Sequence, residues 1–358
     1  LYLYLLLFIL HHGYIKISHM NTITKQRDSN MELLRIIAMF LVMLFHIDFI
    51  SLNGTNHITP EFTPLKSFIR IFLANSTFTC VDVFVLLSGW YGMKFKYSKL
   101  GELIFQVLFF SIISYVVFAF FGITNYKLLL HVFFLDAYWF VPTYLVLYIS
   151  SPILNSFINN CSQKQLQSTI LLLVITQCFY GWLSPQERGY NEGCSPISFI
   201  ILYLIARYCK LYPSSLTTLR KRNDLLIFLT VCLLASTFVF CGEKYQINML
   251  SNTMFKFTSP FTIIASLYLI LFFSKIRLQK RWINWIAISS FAAFLIHCFP
   301  AFNQYIYHNV ISYLYLNYST VTFIALVLLF IFFLYIASIL LDKIRISIYK
   351  KISNHFIC

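Results

Sequence analysis

Apolar residues run through this chain in blocks of about twenty, parted by short polar stretches that carry most of the charge. The blocks fall at about 33–52, 67–91, 100–122, 137–158, 166–183, 196–212, 224–241, 257–275, 282–304 and 319–341. Each is near the length an α-helix needs to cross a hydrocarbon core of about 30 Å. Only helices and closed barrels satisfy their backbone groups in lipid, so the pattern predicts an all-α, polytopic membrane helical bundle of about ten transmembrane helices. Lys127–Leu135 reads as a short interfacial piece before the fourth span. Leu1–Leu10 is apolar for ten residues only, too short to span, and no small-residue cleavage site follows it. Residues 1–19 are therefore expected to be an over-extended N-terminus, with Met20 as the start. The transmembrane domain is expected over 20–341, with 342–358 as a short cytoplasmic tail.

Charge sets the orientation. With the N-terminus inside, 21 of the 27 Lys and Arg fall in alternate segments on one side and six on the other. That is the positive-inside pattern, with both termini cytoplasmic. The net charge of +15 is split among these clusters instead of forming one basic patch, so nucleic acid is not an expected partner. A chain that is 59% hydrophobic and only 11% charged cannot cover the surface of a soluble domain of this size. The nine Cys lie mostly inside apolar blocks with no C-x-x-C pair and read as small hydrophobes. No metal site, Gly-rich phosphate loop, nucleophile elbow or internal repeat is evident.

Against that apolar background a few polar residues stand out. The first block, Glu32–Asp48, carries Arg35 and His46, eleven residues apart. In a helix that spacing is three turns plus about 20°, so both side chains face one wall about 16 Å apart. A cation in hydrocarbon costs at least about 2.5–3.5 kcal/mol, and a buried imidazole needs partners for its nitrogens. Arg35 snorkelling to the interface and His46 bonding a neighbouring helix is the structural alternative. Asp48 lies about 200° round the helix from His46 and cannot orient that ring; His297 or Tyr144 could.

The second block ends V-D-V-F-V-L-L-S-G-W-Y-G, residues 81–92. Asp82 needs a partner if charged, and Arg35 is the nearest candidate at comparable depth. Ser88-Gly89 suits close helix packing. The fourth block opens D-A-Y-W-F-V-P-T-Y, where Tyr138 and Trp139 fit an aromatic belt and Pro142 is expected to loosen the helix. The ninth block carries S-F-A-A-F-L-I-H-C-F-P, which places His297 at roughly the depth of His46.

Taken together, these segments resemble the acyltransferase-3 family of integral membrane acyltransferases. L-L-R-I-I-A-M-F-L-V-M-L-F-H is similar to its first-helix R-x10-H signature, and V-D-V-F-V-L-L-S-G-W to its V-D-x-F-F-x-x-S-G-[FY] block. Y-W-F-V-P-T-Y-L and S-F-A-A-F-L-I-H resemble its later W-[FY]-[LI] and S-x-x-x-[YF]-L-x-H segments. The likeness covers residues 28 to about 341, in order. One departure is that Lys94, Lys96 and Lys99 stand where the family often has an R-x-x-R motif, and Lys offers a point charge where Arg offers a fork. No appended esterase-like domain, which some members carry, is expected.

The resemblance implies an O-acyltransferase that moves an acyl group, commonly acetyl, from acyl-coenzyme A to a hydroxyl. The acceptor would be a cell-surface polysaccharide or lipid-linked glycan. Acyl-coenzyme A would be a co-substrate, with no bound cofactor, and the enzyme would sit as a multi-pass protein in the bacterial cytoplasmic membrane. The catalytic candidates are His46 as general base, Arg35 and His297. Donor-binding candidates are Arg35, Lys94, Lys96, Lys99, Asp82, Ser88 and Gly89, and acceptor-side candidates are Trp139 and Tyr144. The competing class is a transporter or flippase of a lipid-linked sugar without acyl chemistry, and a third is a non-catalytic scaffold for polysaccharide synthesis.

Overall fold

A computed structural model describes residues 27–52, 57–58, 63–123, 126–186 and 188–355. The expectation on residues 1–19 lies outside them. The described residues form helices and no strand. In chain order these are α1 (Ser29–His46, continued by a π-turn Ile47–Ser51), α2 (Pro64–Tyr91), α3 (Tyr97–Phe120), α4 (Tyr126–Phe134), α5 (Phe140–Asn160), α6 (Gln163–Gln177, continued by a π-turn Cys178–Leu183), α7 (Pro196–Leu211), α8 (Lys221–Lys244), α9 (Asn248–Met254) and α10 (Pro260–Ser274). They are followed by α11 (Arg281–Ala287), α12 (Ser290–His297), α13 (Pro300–Asn317) and α14 (Thr320–His355). Among the described residues six helices are long and apolar enough to cross a membrane, or seven with Arg281–His297 and Pro300–Asn317 counted as one bent span. The remaining expected spans form shorter helices: α1 has 18 residues, α7 16 and α10 15. The protein is a multi-pass membrane protein.

Local chemistry fixes the helix ends. Thr63 caps α2 by accepting from the Lys66 amide, with Pro64 in the first turn, and Ser162 and Gln165 form a reciprocal capping box on α6. Pro142 falls in the first turn of α5, where no intrahelical bond is lost; the proline inside that helix is Pro152. The expected ninth span is broken. α12 stops at His297, Phe299 takes an extended conformation before Pro300, and the chain turns by 70°. Residues 342–355, expected as a tail, continue α14, where Asp342 and Arg345 are buried.

The chain divides into two compact units, one holding Lys94–Pro142 and Arg281–Cys358, the other Ser29–Met93 and Thr143–Lys280. In the first, α12 packs on α3 and α14. Tyr138 is buried there and donates to the Leu295 carbonyl at 2.7 Å. In the second, α2 is the central element: its most apolar stretch is 72% buried, against at most 33% in the other long apolar helices. It packs on α1, α7, α8 and α10.

Contacts within this second unit show its helices alternating in direction. At one end Asn30 of α1 donates to the Phe273 carbonyl of α10 at 2.8 Å. Lys275 after α10 pairs with Asp224 of α8 at 2.6 Å, and Asn155 of α5 donates to the Met93 carbonyl after α2. At the other end Asp48 pairs with Arg70, and His57 bonds Glu243. Arg207–Arg222, Lys275 and the start of α1 therefore share one end, the alternation on which the charge count rests.

Candidate functional site

Arg35 and His46 lie on one helix, α1, which places them about 16 Å apart along its axis. His46 is its last residue, 9% exposed, with Phe45 edge-on to the ring at 5.2 Å. The π-turn begins immediately after it. Such turns leave the α-helical ladder locally irregular and are frequent at functional sites. Arg35 Nε lies 3.6 Å from Glu32, one turn back.

The expected Arg35–Asp82 pair is not formed. α1 and α2 run antiparallel, since Phe45 meets Phe78 at 5.0 Å while Asp48 pairs with Arg70 at 2.7 Å. Asp82 is four residues beyond Phe78 and Arg35 ten before Phe45, so their levels differ by about 9 Å at 1.5 Å per residue. Asp82 is fully buried, and neither carboxylate oxygen has a hydrogen-bond partner among the described residues.

Ser88 and Tyr144 are brought together, their hydroxyls 3.1 Å apart, with the Tyr144 hydroxyl 3.6 Å from Met93 Sδ. Tyr144, expected at the outer interface with the acceptor, thus reaches toward the α2 C-terminus, beside a donor-side candidate. Gly89 is a packing position. A Cβ there would press into the Tyr203 carbonyl oxygen and lie 2.9 Å from Tyr203 Cα. The Tyr203 hydroxyl accepts from the Met93 amide at 3.1 Å and donates to Asn155 Oδ1 at 2.7 Å.

The other candidates belong to the first unit. His297 is fully buried with Nδ1 on the Ala293 carbonyl, which makes Nδ1 the protonated nitrogen. Nε2 is then the acceptor, 3.3 Å from Cys298 Sγ. Lys94, Lys96 and Lys99 are all exposed, and Lys99 pairs with Glu102 at 2.6 Å. Trp139 is 39% exposed beside Phe140.

The family model described as "Acyltransferase domain" (Acyl_transf_3) matches residues 28–343, most of the chain and both units. The protein belongs to the acyltransferase-3 family. No curated protein and no solved structure matches it.

Two polar clusters of this acyltransferase were not singled out from its sequence. At the C-terminal end of α1, His57 Nδ1 lies 2.7 Å from Glu243 and Nε2 3.1 Å from Asp48, whose other oxygen accepts from Arg70 at 2.7 Å. Glu243 also accepts from the His57 and Ile58 amides. Both ring nitrogens face carboxylates, so both are N–H donors and the ring is an imidazolium. Burial pulls its pKa down, but the hydrogen bonds and charges of Asp48 and Glu243 outweigh this and hold it above the ordinary histidine value. In the first unit Arg345 grips Asp342 through two hydrogen bonds of 2.9 and 3.1 Å, and Gln106 donates to the same carboxylate. The sequence signal for these was slight: Asp48 turned away from His46, and an acid and a base three residues apart at 342 and 345.

Proposed function

We propose that this acyltransferase moves an acetyl group from acyl-coenzyme A to a hydroxyl of a cell-surface polysaccharide or lipid-linked glycan, in the bacterial cytoplasmic membrane. The observation that carries the reading is the placement of Arg35 and His46 on one helix within a membrane acyltransferase. A sugar hydroxyl is a poor nucleophile until a base takes its proton, and imidazole titrates in the useful range. His46 accepts that proton as the hydroxyl oxygen attacks the thioester carbon. The C–S bond then breaks, the acyl ester is released, and the proton passes to the departing thiolate. Arg35, about 16 Å away on the same wall, marks the donor's path, with Lys94, Lys96 and Lys99 attracting its phosphates from the cytoplasmic side. His297, its Nε2 left as acceptor by the Ala293 carbonyl, serves the acceptor or shares the proton. Trp139 belongs to the acceptor side, and Tyr144 to the donor side with Ser88.

The test is His46→Ala. A positioned base contributes about 10²–10⁴-fold, so turnover of acetyl-coenzyme A falls by that factor while abundance and donor binding hold. NMR of the surface glycan then shows the matching loss of ester. A parental rate in His46→Ala overturns the assignment.

A further inference from the structure

The end of the second unit that carries the α1 N-terminus holds a polar stripe with two cations on one face of α7. Tyr203, Arg207 and Lys210 of α7 are spaced i, i+4, i+7 and lie on one face of the helix. All three engage the same four residues at the end of α2. Tyr203 accepts from the Met93 amide, and Lys210 Nζ sits 4.7 Å over the Trp90 ring. Arg207 packs against Gly92 so closely that a Cβ there would meet its guanidinium carbon at 3.0 Å. Gly92, at φ +70°, ends the helix in a conformation that leaves this space open.

No described carboxylate of this unit pairs with these cations. Among the described acids of this unit, Glu32 lies against Arg35, Asp48 and Glu243 are taken by His57 and Arg70, and Asp224 is taken by Lys275. Asp82 is sealed in the core and Glu192 lies in the loop before α7. The α2 C-terminus carries a partial negative charge that favours nearby cations. Arg207 nevertheless forms no hydrogen bond or ion pair within the described residues, so its donors are not spent on capping carbonyls. The half-exposed guanidinium and the exposed ammonium beside it are thus ordered by packing and open to an anion. A guanidinium fork fits phosphate oxygens in pairs, and an ammonium adds a point charge.

We propose that Arg207 and Lys210 hold phosphate groups of the acyl donor, with Arg207 the principal contact. The inference rests on the acyl-coenzyme A reading and names a phosphate site for it on α7, apart from the exposed lysines at 94, 96 and 99. Phospholipid headgroups offer the same chemistry, so the test separates the two sources. Purified full-length protein is titrated with coenzyme A, and separately with vesicles of phosphatidylcholine containing phosphatidylglycerol. Arg207→Gln weakens coenzyme A binding and raises the donor KM by about 10- to 100-fold, with kcat and thermal midpoint near parental. Lys210→Gln has a smaller effect that fades in high salt. Arg207→Lys, which keeps charge and most of the packing, recovers only part of the loss. Parental coenzyme A affinity in Arg207→Gln overturns the proposal, and so does a loss confined to vesicle binding. A lowered thermal midpoint without a KM change reduces Arg207 to a helix-end cation and also overturns it. If the parent protein itself binds no coenzyme A, the donor reading fails first and this site with it.

Discussion

The two ends of the second unit treat charge in opposite ways. At the end where α1 finishes, Asp48, His57, Arg70 and Glu243 form a closed set: two anions, two cations, every charge met within 3.1 Å. At the end where α1 begins, Arg207 and Lys210 pair with no acid among the described residues of this unit, and the Lys275–Asp224 pair beside α8 leaves them uncompensated. A closed set costs desolvation but leaves no charge seeking a partner, so it holds chain segments together. It ties the His57–Ile58 backbone to the end of α8. Cations with no internal partner favour an anion from outside. Of two equally polar clusters, the unbalanced one is the better candidate for ligand binding.

That contrast can be broken by experiment. The largest effect is expected from Glu243→Ala, which leaves the His57 imidazolium with Asp48 as its one remaining carboxylate in the cluster and frees two amides. Removing one partner of a buried ion pair costs about 3–5 kcal/mol. The thermal midpoint of the solubilised protein falls steeply, and the donor KM of the surviving folded fraction stays parental. A KM change as large as that of Arg207→Gln would end the distinction between the two ends.

The next effect is in pH. His57 has a folded pKa raised above its unfolded value of about 6.5. Its contribution to stability is therefore fully present below about 6.5 and is lost as pH rises through the folded pKa. Each unit of that shift is worth about 1.4 kcal/mol. Melting curves taken across this range should show the midpoint dropping on the alkaline side in the parent, and a flatter profile in His57→Gln. Equal slopes in the two proteins would mean that the ring is neutral in the fold.

The smallest change is expected at Asp82, the third arrangement: a buried carboxylate with neither an internal counter-charge nor an opening. With no hydrogen bond or ion pair to lose among the described residues, Asp82→Asn shifts stability by no more than about 1 kcal/mol. Thermal melts check this, and a multi-kilocalorie loss would show that Asp82 has a partner.

Much of the fold was legible because hydrocarbon imposes a simple rule on sequence: every spanning segment must be apolar, helical and long enough. Block lengths located the helices, and the basic clusters between them marked segments that do share an end within the second unit. The family was legible too, since R-x10-H, the V-D-V-F-V-L-L-S-G-W block and the later aromatic segments stand in order. The break at Phe299–Pro300 was visible as a proline, but a 70° turn is a property of what packs around it. The partners of Tyr144, Ser88 and Met93, were not legible, because a tyrosine side chain reaches well beyond its own turn.

The sequence by itself determined an all-helical membrane acyltransferase with Arg35 and His46 on one helix, because helical periodicity is local and covalent spacing sets it. Only the tertiary structure decided which charges meet. Arg35 and Asp82 face each other on paper, yet the antiparallel register of α1 and α2 sets them about 9 Å apart in level. Asp48, His57 and Glu243 are separated by as many as 195 residues in the sequence, yet close into one cluster. Arg207 and Lys210 read from the sequence as two of the basic residues that mark an inner segment. It took the packing of α7 on the end of α2, with no ion pair to a described carboxylate of the unit, to set these two apart. Pairing depends on register and neighbours across helices, which no single helix encodes.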